Sequence, residues 1–215
     1  MEEVYALSKY IVRYRKTGDL KYISHLDLLR TIQRAMRRAE LPLKYTEGFN
    51  PHPHIVFALP LSVGVEGYNE LYETALTEDM SAEEFLDRMK KVMPKGLEVT
   101  EVVKADSNKF ADISSAIYKV TPENLPDEKI ISDFLSKQEI LMEKKTKKGI
   151  KTVDIRKDIF EIILKDGNIL MRLSAGNTAN LKPMAVMDLL RSTYNYDSGY
   201  TTFSRFYLVA GNKKL

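Results

Sequence analysis

The chain has no cysteine and no tryptophan. Without cysteine there can be no disulfide, no thiolate nucleophile and no iron–sulfur cluster ligated by this protein. Histidine is scarce, at three in 215 residues. No apolar run approaches the ~18 residues of a bilayer span. The first ten residues, MEEVYALSKY, put acids where a signal peptide carries Lys or Arg, so a cytoplasmic protein is expected. The sequence also lacks a P-loop, GxGxxG, GxSxG and zinc-finger spacing. No cofactor and no metal are therefore expected.

Core-forming residues are plentiful. Hydrophobic side chains make up 44% of the chain, enough to exclude general disorder, and twelve tyrosines leave aromatic surface for stacking. The length suits one large domain or two of about 100 residues each. A net charge of +3 is modest, but it is unevenly spread. Residues 9–50 carry ten Lys or Arg against four acids, while residues 51–104 carry five against ten. A locally basic surface on a nearly neutral chain points to a binding face.

Periodicity gives the elements. Lys9 to Lys16 alternates, with Tyr10, Val12 and Tyr14 on one side and Arg13 and Arg15 on the other, and predicts a strand. A turn at Thr17-Gly18-Asp19 leads to a short extended LKYI. Ser24-His25-Leu26-Asp27 resembles a capping box and opens a helix ended by Leu41-Pro42. Leu28, Leu29, Ile32, Ala35, Met36 and Ala39 share its apolar arc, while Asp27, Arg30, Arg34 and Arg38 lie opposite with Arg37 at the edge. An extended run to about Leu59 is interrupted by the Pro-rich Gly48–His54 segment, which belongs at an edge or in a loop. A strand Glu70 to Leu76, a helix capped by Ser81, and a strand Leu97 to Val103 complete the half.

Strand, helix, two strands, helix, strand is the ferredoxin-like split βαβ order. The second half repeats it more loosely. It has a strand at Ala116 to Val120, a helix capped by Asp127 and a strand at Ile140 to Lys145. A hairpin turns at Asp166-Gly167-Asn168, followed by a helix opened by Pro183 and a strand Thr202 to Val209. Residues 146–159 are left over. The expected fold is α+β, with two tandem ferredoxin-like units of antiparallel sheet over 1–104 and 115–215 and a polar linker at 105–114.

Most of the unusual chemistry lies between Leu20 and Glu66. Arg30, Arg34 and Arg38 recur at i, i+4 and i+8, about 6 Å apart, near the spacing of successive phosphates on a single strand. The bland alternative is a solvated face paired with Asp27, Glu40 or Glu47. Arg37, Phe49, Asn50 and His54 complete the expected RNA- and phosphate-binding set, with Phe49 stacking bases and Tyr45 packing in the structure. Ser24 and Asp27 orient the helix start. His25 and His52 are the candidates for general acid–base work on a 2′-hydroxyl, although His25 is better read as a buried residue fixing the helix start. His52-Pro53-His54 could hold a metal in an extended segment, but no third ligand has recognisable spacing. Lys144, Lys145, Lys147, Lys148, Lys151, Arg156 and Lys157 could form a second phosphate contact or a solvated hairpin tip.

Ser24-His25-Leu26-Asp27, Arg34-Ala35-Met36-Arg37-Arg38-Ala39 and Gly48-Phe49-Asn50-Pro51-His52-Pro53, followed by Phe57 and Pro60, resemble an uncharacterised bacterial radical-SAM-linked family. Its members stand alone or are fused to the C-terminus of a radical-SAM enzyme. Asp154-Ile155-Arg156 and Arg205-Phe206-Tyr207 carry the resemblance further. It implies work beside a radical-SAM protein in RNA modification, with the cluster belonging to that partner. The layout is also similar to CRISPR repeat-processing endoribonucleases, but Ala210-Gly211-Asn212 is a poor substitute for their glycine-rich loop. The leading expectation is an RNA-binding accessory module, with neither DNA nor membrane as a partner. The alternatives are a metal-independent endoribonuclease and a protein-interaction scaffold.

Overall fold

Alternating side chains and locally encoded caps account for most elements of the computed structural model, which describes residues 8–105, 110–146, 149–176 and 179–215. The chain divides into unit 1, Met1–Ala111, and unit 2, Asp112–Leu215. Both are mixed α+β. Of the expected linker, residues 106–109 lie outside the described residues. Phe110–Asp112 form a 3-10 turn with Phe110 buried, and Ile113 and Ser114 already belong to a strand. Among the described residues no helix is long and apolar enough to cross a membrane.

In unit 1, β1 (Ser8–Lys16) buries Tyr10, Val12, Tyr14 and also Lys16. The LKYI segment is not extended. Gly18 takes a φ of 61°, and Gly18–Tyr22 wind into a 3-10 turn that redirects the chain into α1 (His25–Arg38). Next come β2 (Ile55–Phe57), β3 (Val65–Leu76), α2 (Ala82–Val92) and β4 (Leu97–Lys104). The pairings give the order β4-β1-β3-β2, all antiparallel, with Val12 opposite Tyr72 and Tyr14 opposite Glu70. Leu28, Ile32, Ala35 and Met36 of α1 join Phe85 and Met89 of α2 and Tyr10, Tyr14 and Tyr72 of the sheet in one core. Burying each large apolar side chain of α1 contributes about 2 kcal/mol, so packing fixes this helix on the sheet.

Unit 2 contains β5 (Ile113–Pro122), α3 (Glu128–Ser136), β6 (Leu141–Thr146), β7 (Gly149–Asp154) and β8 (Ile159–Lys165). It ends with β9 (Asn168–Ser174), α4 (Pro183–Tyr194), β10 (Thr201–Ala210) and β11 (Lys213–Lys214). Its main sheet runs β10-β5-β9-β8, again antiparallel. Asp166 (φ 48°) and Gly167 (φ 73°) turn the β8–β9 hairpin with both central residues left-handed, as a type I′ turn requires. The leftover residues 146–159 supply β7, which pairs with β6 as a separate two-stranded ribbon, and a 3-10 turn at Arg156–Asp158.

Candidate nucleic-acid interface

The start of α1 is set by Ser24, whose hydroxyl oxygen accepts the Asp27 N–H at 3.1 Å. The capping box is half made. Ser24 Oγ donates back to Asp27 Oδ2 at 2.7 Å, where a full box would have the carboxylate accept the Ser24 N–H. Asp27 Oδ1 also takes Arg30 at 3.3 Å. The Ser24 hydroxyl, with Arg30 beside it, holds the Asp27 carboxyl below its usual 3.8.

All four arginines of α1 are exposed, but they do not do the same thing. Arg38 donates to the carbonyl of Val92 at 2.9 Å, at the last residue of α2. Arg37 donates to the Tyr45 hydroxyl at 3.3 Å and lies 5.9 Å from the centre of its ring. Arg34 has neither hydrogen bond nor ion pair among the described residues. At 100° per residue, Arg30, Arg34 and Arg37 fall within about 60°, and Arg38 stands beyond the stripe's edge. The outward row is therefore Arg30, Arg34 and Arg37. Arg38 braces the two helices. Of the pairs expected on a solvated face, Arg30–Asp27 forms, and none to Glu40 or Glu47 forms among the described residues.

Tyr45 is 39% exposed rather than packed inside, and it makes an isolated bridge with Pro53. That bridge closes a small loop. The Thr46 N–H donates to His52 O at 2.8 Å, and the His52 N–H donates to Thr46 Oγ1 at 3.2 Å. His52 Nδ1 lies 3.1 Å from the same hydroxyl and 3.0 Å from Asn50 O. Gly48, at φ 113°, turns the tip where a side chain would be strained. At that tip Phe49 is wholly exposed, with Asn50 exposed beside it. An apolar ring held out by this loop adds nothing to the buried core.

The histidines separate. His52 is exposed and holds the loop closed. His54 is tied to the sheet edge by its N–H to Lys44 O at 2.9 Å and by Thr74 Oγ1 to its carbonyl at 2.7 Å, and its Nδ1 is buried without a partner among the described residues. His25 sits edge-on to Phe57, ring centres 4.8 Å apart, with Nδ1 also buried and without a partner among the described residues. Burial, and then the charge of Lys16, lower its pKa, so it is neutral at pH 7. Among the described residues no group of three or more His, Asp or Glu could hold a metal ion.

Lys16 and Phe57 were missed as neighbours of His25. Alternation in β1 puts Lys16 on the same side as Tyr10, Val12 and Tyr14, so the signal for an inward lysine was present. In unit 2, Lys144 and Lys151 face each other across the β6–β7 ribbon, and Lys145 is exposed beside them. Lys147 and Lys148 lie outside the described residues. Arg156 is not a phosphate contact: its guanidinium donates to Leu135 O and Ile159 O, both at 3.2 Å. Asp154 Oδ1 accepts the Ile140 and Arg156 N–H groups, each at 2.9 Å, so this acid pins the ribbon's base.

No curated protein matches the chain. A solved structure, an unknown protein from Galdieria sulphuraria, is 7% identical at a TM-score of 0.32, over 93% of this chain and 99% of that one. Residues 9–183, which include α1, the pinned loop and the β6–β7 ribbon, match a family described as an uncharacterized protein conserved in bacteria (DUF2344), and the chain belongs to that family.

Proposed function

We propose that unit 1 binds RNA along the outer face of α1 and the 46–52 loop, as an accessory module working beside a radical-SAM enzyme in RNA modification. The observation that carries the reading is the stripe Arg30, Arg34 and Arg37, with Arg34 unpaired among the described residues, running towards a wholly exposed Phe49 through the Arg37–Tyr45 contact. Guanidiniums at phosphate spacing bind a backbone, and a projecting ring stacks on an unpaired base. The radical-SAM partnership rests on the resemblance in residues 22–66. With no cysteine in this chain, the cluster belongs to the partner. The orders β4-β1-β3-β2 and β10-β5-β9-β8, each with two helices, support reading both units as ferredoxin-like split βαβ.

Binding of a fluorescent single-stranded RNA, measured against salt, tests the stripe. Each phosphate contact contributes a slope of about −0.7 in log K against log salt, so Arg30→Gln/Arg34→Gln/Arg37→Gln is expected to flatten the slope by about 2. Equal binding by both proteins would make the stripe a solvated surface. Isolation of the tagged protein from its native cells without a radical-SAM enzyme would remove that half of the proposal. The second reading, a nuclease, is supported by the neutral His25 imidazole, a suitable proton acceptor. RNA cleaved in EDTA by the wild type and left intact by His25→Gln would favour it.

A further inference from the structure

The helices of unit 2 cover one face of its sheet, burying Ala116, Tyr118 and Val120 of β5 and Ile169, Met171 and Leu173 of β9. The alternate residues point the other way; of these Ile117, Lys119, Leu170 and Arg172 stay partly exposed, while Ser115 and Ser174 are buried. The strand registers align four residues in one row across the sheet. Tyr207 pairs with Ile117, Ile117 with Arg172, and Arg172 with Glu161, which follows Phe160 at a bulge. The row spans three strand spacings, about 14 Å. Tyr207 closes it on one side, and on the other Phe160 sits beside Glu161.

Each ring has a cation beside it. The Arg172 guanidinium lies 5.4 Å from the centre of Phe160, and Lys214 Nζ lies 5.1 Å from that of Tyr207. Phe160 is 53% exposed, although it is a large apolar side chain within a strand. Arg172 is oriented by donating to Ser115 Oγ at 3.2 Å. A depression of about 420 Å³ opens on the same face, lined by Ile117, Lys119, Leu170, Tyr207 and Lys214 among others. Lys119, Lys165, Arg172 and Lys214 outnumber the acids at this face, Glu161 and Asp166.

We infer that this face is a stacking platform for two or three bases of single-stranded RNA, separate from the stripe on α1. A ring beside a cation presents a nucleotide with a surface for its base and a charge for its phosphate. Four-stranded antiparallel sheets bearing aromatics bind single-stranded RNA in this manner. The excess of cations favours a polyanion over an apolar peptide. The choice of RNA rests on the reading of unit 1, but the surface does not.

The test is direct binding of a short fluorescent oligouridylate to the full chain, comparing wild type, Phe160→Ala/Tyr207→Ala and the conservative Phe160→Tyr/Tyr207→Phe. Loss of a stacked base weakens binding about 5- to 150-fold, so the alanine pair is expected to lose at least tenfold with an unchanged salt slope. The conservative pair is expected to retain wild-type affinity, and a matching circular dichroism spectrum shows that the alanine pair is folded. Photocrosslinking of 4-thiouridine RNA to the strand holding Tyr207 would be the positive signature. Unchanged affinity in the alanine pair while the arginine triple variant loses slope would overturn the platform alone, and would leave the face to a peptide. Absence of any RNA binding by the wild type would overturn both.

Discussion

Glu40 shows what a single residue does at the end of α1. The Leu41 N–H donates to Met36 O at 3.3 Å and the Glu40 N–H to Arg37 O at 3.0 Å, the pattern of a Schellman cap. That cap wants glycine in its left-handed position, and here Glu40 sits at φ 53°. The strain is tolerated because the Glu40 carbonyl accepts Arg88 at 2.9 Å, a bond the backbone makes whatever the side chain. Glu40→Gly is therefore expected to stabilise the protein by about 1 kcal/mol, raising Tm by about 2–4 °C for a chain of this size. Differential scanning calorimetry checks this, and a lowered Tm would show that the Glu40 side chain contributes more than its backbone strain costs.

Among the elements, α1 divides an outward arginine stripe, the proposed RNA contact, from the bracing Arg38, and the sequence revealed only part of that division. The caps at Ser24, Ser81 and Asp127 were legible because a hydroxyl or carboxylate meets an amide two or three residues away. The helical period likewise told which face of α1 is buried. It could not tell that Arg38 reaches Val92 O, since that carbonyl lies 54 residues away in sequence. The strand at Ile140 to Lys145 was legible as β6, but β7 did not announce itself: residues 149–152 are all exposed, so no alternation marks it. The same blindness hid the open row on unit 2, whose four members come from four strands. Arg38→Gln should lower stability by about 1 kcal/mol in urea titration, the value of one charge-assisted bond at an exposed site, and leave the RNA salt slope intact. Arg34→Gln should do the reverse. If Arg38→Gln flattened the slope as much as Arg34→Gln, the bracing role would be wrong.

Titratable groups in both units set the pH range of the whole molecule. Asp79 is held below 3.8 by hydrogen bonds from Lys104 and Ser8, and Asp154 by the backbone N–H groups of Arg156 and Ile140. These depressed carboxylates contribute stability above their unfolded values that is lost as pH falls through the folded ones. His25 acts earlier. Its lowered pKa means that the unfolded chain takes up the proton first, so stability starts to fall below 6.5 and stops falling at the folded value. At the alkaline end Tyr194 is pushed up to about 12, first by burial and then by its bond to Asp133, and burial pushes Tyr72 further. Raised values contribute stability that is complete below the usual tyrosine 10 and lost as pH rises through the folded ones. The urea midpoint is therefore expected to be flat between about pH 7 and 9.5, and to fall on both sides. His25→Phe keeps the ring against Phe57 and should abolish the fall between pH 7 and 5. Tyr72→Phe should flatten the alkaline limb. Because the Tyr72 hydroxyl is buried without a partner among the described residues, the same change should gain up to about 1 kcal/mol at pH 7. A His25→Phe profile running parallel to wild type from pH 7 to 5 would show that His25 protonates equally well in both states, and the acid limb would then belong to the carboxylates alone.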